Sequence, residues 1–186
     1  MGVKDQMIGI LRDPDTSRIR FDYSNGGRSA TINLNVFQRV ANALDNDSLH
    51  VVEGYHTGNR ITYSSWQESG RNANTFYLGE NLRWSRDFNA LVVHESIHAY
   101  FDVTRTEMPW LHNEAIAYIS QGFYLRNSGY PQSRLEEDEP YELGYRVARE
   151  LTQGNSGSEW ITLLIDKLNT DTRYSSYIHT NYTGDG

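Results

Sequence analysis

The sequence predicts an α+β domain with a β-rich first half, a helical second half and a functional site in the cleft between them. Three observations predict it. Between residues 19 and 78, short apolar runs alternate with polar residues and are bounded by Gly, Asn and Ser, as half-buried strands are. From residue 87 onward, apolar residues recur at the three- and four-residue spacing of helices. The first of those helical runs, Leu91 to Tyr100, holds His94-Glu95-x-x-His98 and no other charged residue than the glutamate.

In chain order, residues 1–17 are polar and little order is expected before the Asp13-Pro14-Asp15 turn. Ile19 to Tyr23 alternates as a strand and is stopped by Ser24-Asn25-Gly26-Gly27. Leu34, Phe37, Val40, Ala41 and Leu44 form the apolar stripe of a helix over 33–45. Leu49–Tyr55 and Arg60–Ser64 read as two strands joined by His56-Thr57-Gly58-Asn59, a hairpin. His50 and His56 lie in this unit without a partner at metal spacing and read as ordinary strand and turn histidines. Ser69-Gly70-Arg71-Asn72 is a loop, and Thr75-Phe76-Tyr77-Leu78 a third strand. A helix from Asp87, its expected N-cap, to Asp102 carries the histidine motif. A second helix spans roughly 110–125 after Pro109, and residues 126–140 form a loop with the acidic run Glu136-Glu137-Asp138-Glu139. Tyr141, Tyr145, Val147, Ala148 and Leu151 mark a third helix, with Gly144 permitting close packing, and Trp160, Leu163, Leu164 and Leu168 a fourth. The tail from Asn169 is polar and rich in tyrosine. These elements divide one domain of 186 residues into a β-rich lobe, 1–86, and a helical lobe, 87–186.

Composition excludes several function classes. Seventeen Lys and Arg against 24 Asp and Glu give a net charge of −7 with no basic stripe, so neither nucleic acid nor an anionic membrane is an expected partner. No cysteine is present, which rules out disulfides and thiolate metal sites. The chain as given has no apolar leader segment and no run of 18 apolar residues, so it is expected to be soluble; its compartment stays open between cytoplasmic and secreted.

The chemistry concentrates in the histidine motif. Residues four apart on a helix lie about 40° from each other around its axis, so His94 and His98 can aim their imidazoles at one point. Glu95 sits beside them, able to take a proton from a water without binding the metal itself. A tetrahedral centre needs a third protein ligand. Phe101 and Thr104 stand where a metzincin would have glycine and histidine, which removes that class. The second helix instead offers Glu114 in its first turns, with His112 as the rival; the two point to different faces.

At these residues the sequence resembles the gluzincins, the zinc metallopeptidases with a His-Glu-x-x-His helix and a downstream glutamate, which include thermolysin-like and aminopeptidase-N-like enzymes. The matching residues are His94, Glu95 and His98, then Asn113-Glu114-x-x-Ala117, and finally Pro140-Tyr141-Glu142-Leu143-Gly144, over residues 90–169. The resemblance implies a zincin-like fold, a Zn2+ cofactor held by His94, His98 and Glu114, Glu95 as general base, and a peptide or protein substrate. It implies Tyr141 as the donor to the oxyanion; Tyr145 and His179 are the alternatives that the chain itself offers. It also implies an edge strand beside the catalytic helix that binds substrate by strand addition, a role for which Thr75–Leu78 is the candidate. Thermolysin-like enzymes hold a zinc-bound histidine with an aspartate where this chain has Tyr118; Asp102 or a backbone carbonyl are candidates for that partner. Gly79-Glu80-Asn81 only echoes the exopeptidase motif, which favours an endopeptidase, and the chain is expected to act as a monomer. Two other readings stay open at this stage: a peptide-binding domain of the same fold without turnover, and a zinc hydrolase of a non-peptide substrate.

Overall fold

The computed structural model describes residues 2–68 and 70–182 and is a mixed α/β structure. The first departure from expectation comes at once. Residues 3–17 form two helices, α1 (Val3–Leu11) and α2 (Pro14–Ser17). Met7 and Leu11 lie one turn apart on the same face and are fully buried, so an apolar stripe too short to dominate a polar segment still suffices to dock it. Asp13 caps α2 by accepting from the Thr16 N–H at 2.7 Å, with Pro14 in the first helical position.

β1 (Phe21–Asn25) and β2 (Arg28–Ile32) form an antiparallel hairpin in which Asn25 faces Arg28. Gly26 and Gly27 both have positive φ, as a two-residue hairpin turn requires, so the glycines that end one strand also begin its partner. α3 (Leu34–Asp45) follows, capped by Asn33 and buried along Val36, Phe37, Val40 and Leu44.

The central sheet corrects the expected hairpin. β3 (His50–His56) and β4 (Ile61–Ser64) are not partners; β5 (Thr75–Gly79) lies between them, parallel to β3 and antiparallel to β4. The physical reason is burial. Every residue of β5 is buried, and such a strand belongs at the centre of a sheet. At its end, a Cβ on Gly79 would fall 1.8 Å from the Gly58 carbonyl oxygen, so the loop that was expected to turn a hairpin instead closes over Gly79. The segment Thr75–Leu78 is therefore not an edge strand. β4 is the edge, and it lies along the next helix. Of the loop expected at 69–72, Ser69 lies outside the described residues.

α4 (Arg86–Val103) begins with Ser85 rather than Asp87 as its N-cap, which leaves Asp87 in the first turn, where its charge favours the helix dipole. β6 (Met108–Pro109) leads into α5 (Trp110–Asn127), which packs on α4. A short 3-10 turn at Gln132–Arg134 precedes α6 (Pro140–Thr152) and α7 (Ser158–Thr170). α5 and α6 touch through their backbones: a Cβ on Gly122 would lie 2.4 Å from the Gly144 carbonyl oxygen, and one on Gly144 would lie 2.2 Å from that of Tyr118. The polar tail returns to the core. β7 (Asn181–Tyr182) pairs with β6, and the Trp110 N–H donates to the Thr180 carbonyl at 3.0 Å. Residues 183–186 of the tail lie outside the described residues. Among the described residues no helix is long and apolar enough to cross a membrane.

Candidate metal centre

α4 sets the geometry. It is buried nearly all round, so His94 and His98 project inward together, and their Nε2 atoms come within 3.3 Å of each other. α5 supplies Glu114, whose Oε2 is 3.5 Å from His94 Nε2 and whose Oε1 is 3.7 Å from His98 Nε2. Ligands at 2.0–2.1 Å in a tetrahedral arrangement stand about 3.3–3.4 Å apart, so these three atoms already lie within a few tenths of an ångström of a coordinating set. Among the described residues this is the one group of three His, Asp or Glu side chains that could hold a metal ion. The rival His112 lies elsewhere, its Nδ1 2.6 Å from the Tyr23 hydroxyl in the β1–β2 hairpin.

The ring orientations are fixed from behind. His94 Nδ1 faces Gln121 Oε1 at 3.1 Å and His98 Nδ1 faces Asn113 Oδ1 at 2.5 Å. Both acceptors come from α5, at positions 113 and 121, with the small Ala117 midway between them on the same stripe. An amide oxygen on each Nδ1 holds the proton there and leaves the Nε2 lone pairs facing Glu114, the tautomer that metal ligation requires. These two amides fill the role for which Asp102 and a backbone carbonyl were the candidates; Asp102 instead accepts a hydrogen bond from the Tyr63 hydroxyl.

Electrostatics agree with a cation site. Burial disfavours the charged form of His94, yet the Glu114 carboxylate, together with Glu95 and the Gln121 oxygen, more than offsets it and holds the imidazole above its ordinary pKa. Burial likewise acts against charge on Glu114, and the two histidines outweigh it and hold its pKa down. The cluster thus draws positive charge. Glu95 behaves differently: burial dominates and raises its pKa, although both histidines oppose the shift. Its Oε2 accepts the Tyr63 backbone N–H at 2.8 Å, which ties β4 to α4.

A cavity of about 430 Å³ opens over the cluster, lined by Glu95, His98 and Glu114, by β4, by Ser65, Trp66, Glu68 and Arg71, by Trp110 and by the tail. Tyr141 is not brought there. Its hydroxyl is 3.5 Å from Glu136 Oε2 at the surface, and it does not line the cavity. Tyr145 donates to the Tyr130 carbonyl and His179 is exposed. Tyr177 lines the cavity instead, its hydroxyl 3.5 Å from Glu114 Oε1 and its ring edge-to-face with Trp110 at 4.9 Å. Burial, and then the charge of Glu114, raise its pKa strongly, so it stays a protonated donor. Sequence reasoning missed Tyr177, Tyr63 and Gln121. Only the tyrosine-rich character of the tail pointed toward the first of them, and Asn113 was in view as a motif residue without a role. Comparisons with protein-family models, with curated proteins and with solved structures returned no match, so the chemistry of this site is argued from its geometry alone.

Proposed function

We propose that this protein is a gluzincin-type, zinc-dependent metallopeptidase with a zincin-like fold, an endopeptidase that hydrolyses peptide bonds in the cavity over His94, His98 and Glu114. The observation that carries the reading is the convergence of two Nε2 atoms and one carboxylate at 3.3–3.7 Å, each imidazole backed by an amide oxygen, beside a half-buried glutamate, Glu95, that is not part of the cluster. Nitrogen and oxygen donors in a buried, three-ligand set suit zinc and leave its fourth position to solvent. When bound, zinc supplies Lewis acidity, acidifying water and polarising a carbonyl oxygen.

The chain's own residues do the rest. Glu95, whose pKa burial raises and which is steadied at Oε2 by the Tyr63 N–H, takes the proton of the attacking water and later returns it to the leaving amine. Tyr177 donates its hydroxyl hydrogen to the oxygen that becomes negative on the scissile carbonyl, a contribution on the order of 10²–10³-fold for such a donor. β4 supports an extended peptide, since it is a sheet edge fixed against α4 by Tyr63 and lines the cavity. A retained base also argues for turnover, because a domain that only binds peptides has no use for Glu95.

The test joins metal analysis of the purified protein to a peptide-library digest, with Glu95→Gln as the partner variant. The expected result is one equivalent of zinc in both proteins, cleavage by the parent, and turnover reduced at least 10²–10⁴-fold in the variant. Zinc without cleavage in the parent would replace this reading with that of a binding domain, and cleavage of a non-peptide ester or amide alone would replace the substrate class.

A further inference from the structure

The cavity carries one feature that the hydrolytic chemistry does not use. Its wall continues from β4 through Ser64, Ser65 and Trp66 to a tight turn in which the backbones of Glu68 and Arg71 bond to each other in both directions, at 2.9 and 3.1 Å. Gly70 supplies the positive φ of that turn, and the Asn72 N–H donates to the Tyr77 hydroxyl at 2.5 Å, which anchors the turn to the centre of the sheet. Arg71 is the only cationic side chain among the described residues of the cavity wall, leaving aside His98.

Its guanidinium is held without being saturated. The carbon at its centre lies 5.3 Å from the Tyr55 ring centroid and 5.6 Å from that of Tyr77, and Nε donates weakly to the Tyr55 hydroxyl at 3.4 Å. Aromatic contacts engage the faces of a guanidinium and leave its in-plane donors free. The carboxylate of Glu68 stands 3.7 Å from the first terminal nitrogen, beyond hydrogen-bonding distance, and is itself 48% exposed. Neither terminal nitrogen of Arg71 therefore has a hydrogen-bond acceptor among the described residues. A planar fork fixed in place, 26% exposed and lacking its acceptor, matches a carboxylate in a bidentate manner.

We propose that Arg71 is the anchor for a substrate carboxylate, so that this peptidase prefers peptides bearing an acidic group near the scissile bond. The inference rests on the peptidase reading above. Arg71 lines the same cavity as Glu95 and as Tyr63, whose backbone N–H Glu95 accepts, so the anchored group lies in the cleft where the bond is cut. The exposed Trp66, edge-to-face with Trp110 at 6.0 Å, fills the intervening wall and offers an apolar surface to the residues between. The carboxylate has two possible sources in a peptide: an Asp or Glu side chain, or the chain terminus.

The experiment measures binding by the zinc-loaded Glu95→Gln protein, read from the fluorescence of Trp66 and Trp110. The probes are alanine hexapeptides blocked at both ends with one glutamate at each position in turn, their glutamine twins, and the all-alanine peptide with a free carboxyl terminus. At least one carboxylate-bearing peptide is expected to bind on the order of tenfold or more tightly than its neutral twin, the scale of a charged hydrogen bond. A glutamate position that carries the effect identifies a side chain; the free terminus alone identifies a terminal carboxylate. Arg71→Gln, with its zinc content and melting checked, should bring that ratio close to one, Arg71→Lys should keep part of it, and Glu68→Gln should increase it by removing the competing charge. A ratio near one in the parent, a ratio unmoved by Arg71→Gln, or no binding by any probe overturns the proposal. Cleavage of the same peptides by the protein with Glu95 intact separates the two ideas. Cleavage without an Arg71-dependent preference removes the anchor and leaves the peptidase, whereas Arg71-dependent binding without cleavage removes the peptidase and leaves the carboxylate site.

Discussion

Replacing Asn113 by Leu tests whether the support behind the cluster, and not only its three donors, determines metal affinity. The substitution keeps the approximate volume and removes the oxygen that faces His98 Nδ1 at 2.5 Å. His98 is buried, so an Nδ1–H without an acceptor bears a desolvation penalty of about 1–3 kcal/mol. The imidazole escapes part of that penalty by moving its proton to Nε2 or by rotating, and either change takes the lone pair away from Glu114. The penalty corresponds to a factor of roughly 5–150 in zinc affinity, which brackets the 10–100-fold found when such outer partners are lost. Zinc affinity is measured by competition with a chelating dye, and folding by thermal melting of the metal-free protein. Asn113→Leu should bind zinc roughly 10–100-fold more weakly, Gln121→Leu should weaken it by a smaller factor because the contact to His94 is longer at 3.1 Å, and His112→Asn should leave the stoichiometry at one. Parental affinity in Asn113→Leu, with the fold intact, would refute the argument that the amide oxygen sets the tautomer.

Other consequences follow from particular contacts. Tyr177→Phe removes the donor beside Glu114 and keeps the ring on Trp110, so kcat should fall on the order of 10²–10³-fold with little change in KM, while Tyr141→Phe, away from the cavity, should stay active; the opposite pattern in a steady-state assay would return the role to Tyr141. The tail is latched by Arg173, which pairs with Asp171 and Glu139 and holds both carboxyls below their ordinary values of 3.8 and 4.5. The unfolded chain then binds more protons than the folded one at low pH, so this stabilisation is complete above about pH 4.5 and is lost as pH falls through the lowered values. Trp110 fluorescence should report release of the tail in that acid range, and Arg173→Gln should remove the transition; a transition unchanged in the variant would assign it to other groups. Gly144→Ala places a Cβ against the Tyr118 carbonyl, a clash with backbone that cannot yield as a side chain does, and should cost about 3 kcal/mol in urea unfolding; a loss under about 1 kcal/mol would mean that α5 and α6 separate easily.

Local pattern made much of this protein legible in advance. The stripe from Leu34 to Leu44 predicted α3 nearly to the residue, and the apolar run around His94 predicted a buried α4. The four-residue spacing of His94 and His98 alone implied convergent imidazoles, because helix geometry converts that spacing into a shared direction. Pro109 and the chain after it placed Glu114 on a second helix, and the structure brings it to the cluster while His112 turns to Tyr23. Where reading failed, the deciding contact was distant in sequence or the signal was short. Met7 and Leu11 dock a helix that its polar neighbours concealed.

By itself, then, the sequence determined which residues could ligate a metal, which helix carries them, and which faces must be buried, since periodicity records an element's sidedness within a few turns of chain. Tertiary structure alone decided what each face is buried against. It inserted β5 between β3 and β4, made β4 the edge, and chose Asn113 and Gln121 to orient the histidines. It also carried Tyr177 across 63 residues to Glu114 and the Tyr182 hydroxyl across 84 to the His98 carbonyl. Those pairings are set by how whole elements fill shared volume, and a one-dimensional pattern carries no term for a neighbour that far along the chain.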